Sequence, residues 1–257
     1  MLTIRTICCI VSLRVYMNHI STMDIFKKAW EIVRLNFVKI VGATVILFVI
    51  QAILDSVSGG GKNTSPEGGI VSLAATIVSL IVGVAVTAAM IRIARGAPVE
   101  LQALSVTTSQ VFRYIGVIAI LMLIFVAIAL PFFGLALSFG AISLIGTNLD
   151  LNAGSLVAFI FVALLVLMYV NFRLMFATYL VVDKNVGVFK AIKQSWNITK
   201  GQLVTLIKLV LISAGVAILG ALALLVGLFV AVPVIAFAYA LFYLLLITRF
   251  EKSAKKA

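Results

Sequence analysis

Among the polar side chains that interrupt the apolar runs of this chain, four could do chemistry: Gln51, Asp55, Asn171 and Arg173. Polar groups in such positions are expensive and commonly mark ion or substrate paths. Gln51 and Asp55 are four residues apart and share one face of a helix. Asn171 and Arg173 lie in a later run, well before the next acid, Asp183. Arg173 has two readings. It contacts a substrate or lipid phosphate or acts as a gate charge, or it runs its long stem to the membrane surface as a structural residue. No series of buried acids accompanies these four, so the charge relay of a proton-coupled pump is not expected.

Other chemistry is excluded by residue type. The single histidine, His19, lies in the N-terminal tail, so neither a His-based catalytic triad nor a multi-His metal site is expected within one chain. The acids are Asp24, Glu31, Asp55, Glu67, Glu100, Asp150, Asp183 and Glu251, and no two have the placement of a glycosidase couple. Gly59-Gly60-Gly61-Lys62 lacks the spacing of a phosphate-binding loop. Cys8 and Cys9 are adjacent and imply neither a disulfide framework nor zinc, leaving palmitoylation or inert thiols. Asn63-Thr64-Ser65 fits a glycosylation sequon, but Pro66 follows it. The expectation is a chain with no cofactor, no metal and no enzymatic activity.

The elements that must position these residues are membrane spans. The chain is 64% hydrophobic and 11% charged, with a mean hydropathy of +1.27. A soluble domain is about half apolar and about one quarter charged. Runs of about 20 apolar residues cross the roughly 30 Å of hydrocarbon. Six runs qualify: Ile40–Val57, Ile70–Ile93, Tyr114–Leu137, Leu156–Val182, Leu203–Val230 and Val234–Thr248. Pro131 is placed to kink the third, and Ala136–Leu144 reads as a short outer helix or re-entrant piece. The breaks after the first, third and fifth runs are polar or glycine-rich: Ser58–Gly69, Gly146–Ser155 and Gly227–Pro233. They hold one basic residue, Lys62. The remaining ends are basic: Lys27, Lys28, Arg34 and Lys39; Arg92, Arg95 and Arg113; Lys184, Lys190, Lys193, Lys200 and Lys208; Arg249, Lys252, Lys255 and Lys256. Short basic loops stay in the cytoplasm. Six spans put all of these clusters, and both termini, on that side of a cell membrane. The net charge of +12 is then a juxtamembrane belt for anionic lipid headgroups, not a nucleic-acid surface, because no polar domain exists to build one.

The basic segments also repeat. Ala29-Trp30-Glu31-Ile32-Val33-Arg34-Leu35-Asn36-Phe37 aligns with Ser195-Trp196-Asn197-Ile198-Thr199-Lys200-Gly201-Gln202-Leu203, bringing the only two tryptophans into register. A weaker copy, Ala103–Val111, lies between them. In the first copy Asp24, Lys27, Lys28, Glu31 and Arg34 form one face and Ile25, Phe26, Ala29, Trp30, Ile32 and Val33 the other. Ser21 with Asp24 makes a capping-box-like start, and Pro98 is placed to open the middle helix. The interfacial residues of the repeat are Trp30, Arg34, Asn36, Ser195, Trp196 and Lys200. The predicted fold is an all-α polytopic transmembrane bundle of six spans. It has three amphipathic-helix-plus-hairpin modules near 23–96, 97–183 and 184–250. These form one domain, 23–257, after a tail 1–22 that is no convincing signal peptide, with Met17 and Met23 as alternative starts. Small-residue ridges at Ser213, Ala217 and Ala221, and at Ala85 and Ala89, suit close helix packing.

The stretch from Tyr179, YLVVDKNVGVFKAIKQSWNITKGQ, resembles a prokaryotic group of six-helix membrane proteins. These include YciC-like and DUF975-like families and the membrane domain found beside glycerophosphodiester phosphodiesterases. The similarity rests on Asp183 after the fourth span and on Ala191, Ser195, Trp196, Thr199, Lys200 and Gly201 before the fifth. It implies a multipass plasma-membrane protein without catalytic residues, here without the soluble phosphodiesterase domain. Two functions remain: a non-enzymatic organising, regulatory or accessory protein, or a transporter or channel for a small solute or lipid. A membrane-protein partner or a second copy of the chain is the expected protein contact.

Overall fold

The computed structural model describes residues 21–57, 66–99, 104–144, 153–223 and 226–254. The tail before Ser21 with Cys8, Cys9 and His19, the sequon, Glu100 and Asp150 lie outside the described residues, as does the side chain of Asp55. The described residues form α-helices and no strand. In chain order these are α1 (Thr22–Leu35), α2 (Phe37–Val57), α3 (Pro66–Ala94), α4 (Thr108–Leu144), α5 (Ala153–Leu174), α6 (Ala177–Lys184), α7 (Val188–Ile198), α8 (Leu203–Leu222) and α9 (Val226–Ala254). Among the described residues, six stretches are long and apolar enough to cross a bilayer: Phe37–Leu54, Ala74–Ala94, Thr108–Phe132, Ala158–Lys184, Leu203–Leu222 and Gly227–Ser253.

The last helix is the axis of the bundle. Its span is 67% buried, against 6% for those of α2 and α4. Phe237, Ala238, Leu241, Phe242, Tyr243 and Leu246 of α9 form the core with Val84 and Ile91 of α3, Phe176 and Leu180 near α6, and Leu206 and Leu209 of α8. The outer helices expose large apolar side chains such as Val38, Phe48, Leu123, Phe161 and Leu219. In lipid this exposure carries no hydrophobic penalty, so close packing inside, not patterning alone, selects the arrangement.

The amphipathic repeat survives in two copies. Ser21 caps α1, its Oγ accepting from the Met23 N–H, with Asp24 in the first turn. Burial coincides position by position. Ala29 and Ser195 are fully buried, as are Val33 and Thr199, while Trp30 and Trp196 are 47% and 39% exposed. Arg34 and Lys200 are both exposed, and Asn36 and Gln202 both half-buried. The aligned tryptophans therefore flank the buried face and do not belong to it.

The middle copy differs. Leu104 to Thr107 form no α-helix, and Thr108 already begins α4. That segment has no tryptophan and no wide apolar face to bury, so it serves as a connection. Two further boundaries shift. The last hairpin turns after α8, at Ala223, not across Gly227–Pro233, which lie inside α9. Gly220 of α8 and Gly227 of α9 face one another so closely that a Cβ on Gly227 would lie 2.5 Å from the Gly220 carbonyl oxygen. These glycines permit close approach of two helices; they do not form a loop. Residues 136–144 continue α4 as a single helix of 37 residues, with Pro131 inside it. Of the predicted ridges, Ser213 and Ala89 are buried, Ala85 and Ala217 half-buried and Ala221 exposed.

Candidate functional site

The polar chemistry of the bundle is concentrated where α3, α4, α6 and α9 meet at their basic ends. Asp183, near the end of α6, has a side chain only 2% exposed. A carboxylate so placed needs a charged partner and hydrogen bonds. Arg95, just past α3, supplies a two-pronged contact: Nη1 lies 2.5 Å from Oδ1 and Nη2 donates to Oδ2 at 2.7 Å. Tyr243 of α9 donates its hydroxyl to the same Oδ2 at 2.9 Å. Burial works against the Arg95 charge, but the Asp183 carboxylate outweighs it and holds the guanidinium above its usual range. Around this centre Gln110 of α4 donates to the Val182 carbonyl at 2.8 Å. Arg113, also on α4, donates to the Asn185 carbonyl. Asn185 closes α6 in the left-handed conformation, with φ 49°. Lys184 and Glu251 pair at 2.8 Å across α6 and α9. Four helices are thus tied together through one short segment, Val182–Asn185.

A second cluster joins the fourth span to α7. The span is broken at Met175 and Phe176, between α5 and α6. A helix end leaves carbonyls without intrahelical partners. Ser195 Oγ donates to the Arg173 carbonyl at 2.8 Å, and Thr199 Oγ1 approaches the same oxygen at 3.4 Å. The Arg173 side chain turns back between two rings. Its Cζ lies 5.2 Å from the centroids of both Tyr169 and Trp196. Its Nε and Nη2 donate to the Tyr169 hydroxyl at 3.2 and 3.1 Å, and Nη1 reaches the Trp196 carbonyl at 3.5 Å. Arg173 is 8% exposed, so its charge is held under aromatic faces and does not extend freely into water. Ala191, fully buried, lets α7 approach, and Gly201 at φ 78° turns the chain into α8. The segment read as a motif in the sequence is therefore a cap and a clamp on the broken fourth span.

The other expected site residues do not join these clusters. Gln51 lies near the far end of α2, where its Oε1 accepts from Ser79 Oγ at 3.1 Å. It lines a notch of about 170 Å³ with Ser72, Thr76 and Ser79 of α3. Asn171 is exposed, one turn before the break in the span. Trp30 and Arg34 are exposed on α1, and Lys200 is exposed beyond α7. Sequence reasoning placed Arg95 and Arg113 only in a basic belt, read Gln110 only as part of the middle repeat copy, and passed over Tyr169 and Tyr243. The available signal was a tyrosine hydroxyl within an apolar run, which needs a buried acceptor. Among the described residues no three His, Cys, Asp or Glu side chains converge to hold a metal.

No curated protein and no solved structure matches the chain. One family model matches residues 70–250, from within α3 to near the end of α9. That match covers most of the chain, including both clusters except Glu251, and leaves α1 and α2 outside it. The chain belongs to the family described as the membrane domain of glycerophosphoryl diester phosphodiesterase.

Proposed function

We propose that this protein is a non-enzymatic organising or accessory component of the cell membrane, with its basic end and both termini in the cytoplasm, engaging anionic lipid headgroups. One observation carries this reading. On α7 and its flanks the hydroxyls of Ser195 and Thr199 face inward and are used to hold the bundle, while Lys190, Lys193 and Lys200 face outward. Lys27 occupies the matching outward position on α1. Such lysines each gain about 1 kcal/mol near an anionic surface. A bundle that spends its polar groups on its own packing and presents cations at one rim suits a platform for lipid or for another membrane protein. The family description names a phosphodiesterase, and a platform of this kind would hold such a neighbour, or a second copy, at the lipid surface. The test is the lipid that copurifies from native membranes. Anionic phospholipid should be enriched over its bulk share, and replacing Lys27, Lys190, Lys193 and Lys200 by glutamine should sharply reduce the enrichment. Bulk composition around the wild-type protein would refute the reading, as would hydrolysis of a glycerophosphodiester by the purified chain.

Transport is the second reading, and the polar notch around Gln51 favours it. Solute-specific efflux from proteoliposomes, lost on Gln51→Leu, would put this reading first.

A further inference from the structure

A groove of about 400 Å³ runs along the surface between α2, α3 and α9. Its walls are apolar: Ile46 and Leu47 of α2, Val86 and Met90 of α3, and Phe237 of α9. Gly42 and Ala43 keep the α2 side shallow. Lys39 lines it at the start of α2, and Val99 and Leu104, beyond the basic end of α3, line it as well. From Lys39 to Leu47 a helix rises about 12 Å, nearly half the hydrocarbon thickness. Lys39 is exposed and has no hydrogen-bond or ion-pair partner among the described residues. We propose that the groove is a specific site for one anionic glycerophospholipid, with an acyl chain along Ile46, Leu47 and Met90 and the headgroup phosphate on Lys39. The charge is the argument for this occupant. A trough that is apolar along its length and cationic at the surface matches an amphiphile with an anionic head, and an ammonium at that depth attracts phosphate.

This inference rests on the lipid-engaging function proposed above and assigns it a discrete site. The test uses the full-length chain in mild detergent, given phosphatidylglycerol or phosphatidylcholine with identical acyl chains, with retained lipid counted by native mass spectrometry. One phosphatidylglycerol per chain should be retained in preference to phosphatidylcholine. Lys39→Gln should weaken retention about fivefold. Gly42→Leu should abolish it by filling the groove, and the fold tolerates the added side chain at its root, because a Cβ at Gly42 meets nothing within 4 Å. An unchanged circular-dichroism spectrum for Gly42→Leu secures the comparison. Undiminished retention by Gly42→Leu overturns the site, as does equal retention of both lipids. Conversion of a dimer to a monomer by Gly42→Leu also overturns it, since a second copy would then be the occupant. The two proposals fail separately. Replacing Lys190, Lys193 and Lys200 by glutamine should leave the groove lipid in place, so loss of general enrichment there concerns the rim, and loss in Gly42→Leu alone concerns the groove.

Discussion

Asp183 is the residue on which most of the bundle's polar energy turns. An isolated carboxylate 2% exposed would be strongly destabilising. Here its Oδ1 and Oδ2 are met by Arg95 and Tyr243, from helices far apart in sequence. Removing Asp183 leaves the buried Tyr243 hydroxyl without its acceptor and the half-exposed Arg95 guanidinium without its counter-ion. Asp183→Asn should therefore lower unfolding stability by about 2–4 kcal/mol, measured by chemical denaturation in mixed micelles. Arg95→Gln added to it should recover part of the loss, because the stranded guanidinium is removed with its partner. A double variant as unstable as the sum of the singles would show that the pair is not coupled. Arg173 makes a different demand. Among the described residues it has no carboxylate partner, and its charge is stabilised by the faces of Tyr169 and Trp196. Trp196→Leu should cost about 1–2 kcal/mol. Arg173→Lys should not preserve the thermal midpoint, since an ammonium cannot form the two bonds to the Tyr169 hydroxyl while lying flat between rings.

At the scale of the element, what was readable in the sequence follows the physics of each signal. Hydropathy over about 20 residues is a strong signal, and all six spans appear where it placed them, within several residues. The α1 and α7 faces were readable because a polar stripe at helical period leaves few alternatives. The break at Met175 and Phe176 was not readable. Both residues are apolar, and the interruption is stabilised by Ser195 and Thr199, about 20 residues later. Gly227 and Pro233 were read as a turn because glycine and proline usually punctuate helices. In lipid glycine also serves helix contact, and Pro233 is tolerated, fully buried, inside α9. The two uses of glycine predict opposite responses. Gly227→Ala, forced against Gly220, should destabilise by about 1–3 kcal/mol. Gly215→Ala, whose new Cβ meets nothing within 4 Å, should be neutral or stabilising by up to about 1 kcal/mol. Thermal midpoints of the two variants moving in the same direction would contradict the assigned packing.

For the whole molecule, the Asp183 centre was the least readable feature, since Arg95 and Asp183 are 88 residues apart and no local pattern links them. It nonetheless bears on topology, because it ties together the ends of α3, α6 and α9 that the sequence marks as basic. Gln110 and Arg113 tie in the start of α4. These four ends share one face of the bundle, so the charges of Arg92, Arg113, Lys184, Arg249 and Lys252 act together on one side of the membrane. Translocating such a face is opposed by the charge bias that sets the orientation of short loops. Reporter fusions after Ser65 and after Ala257 should therefore give opposite signals. An alkaline phosphatase reporter should be active at Ser65 and silent at Ala257, and a fluorescent reporter that matures only in the cytoplasm should do the reverse. Neutralising a single cluster, Lys252 with Lys255 and Lys256, should leave both signals unchanged, because the remaining basic ends are fixed to the same face. Identical signals at the two sites would require an even number of spans between them, where this fold has five, and reversed signals would put the basic face outside; either result would overturn the orientation argued from charge.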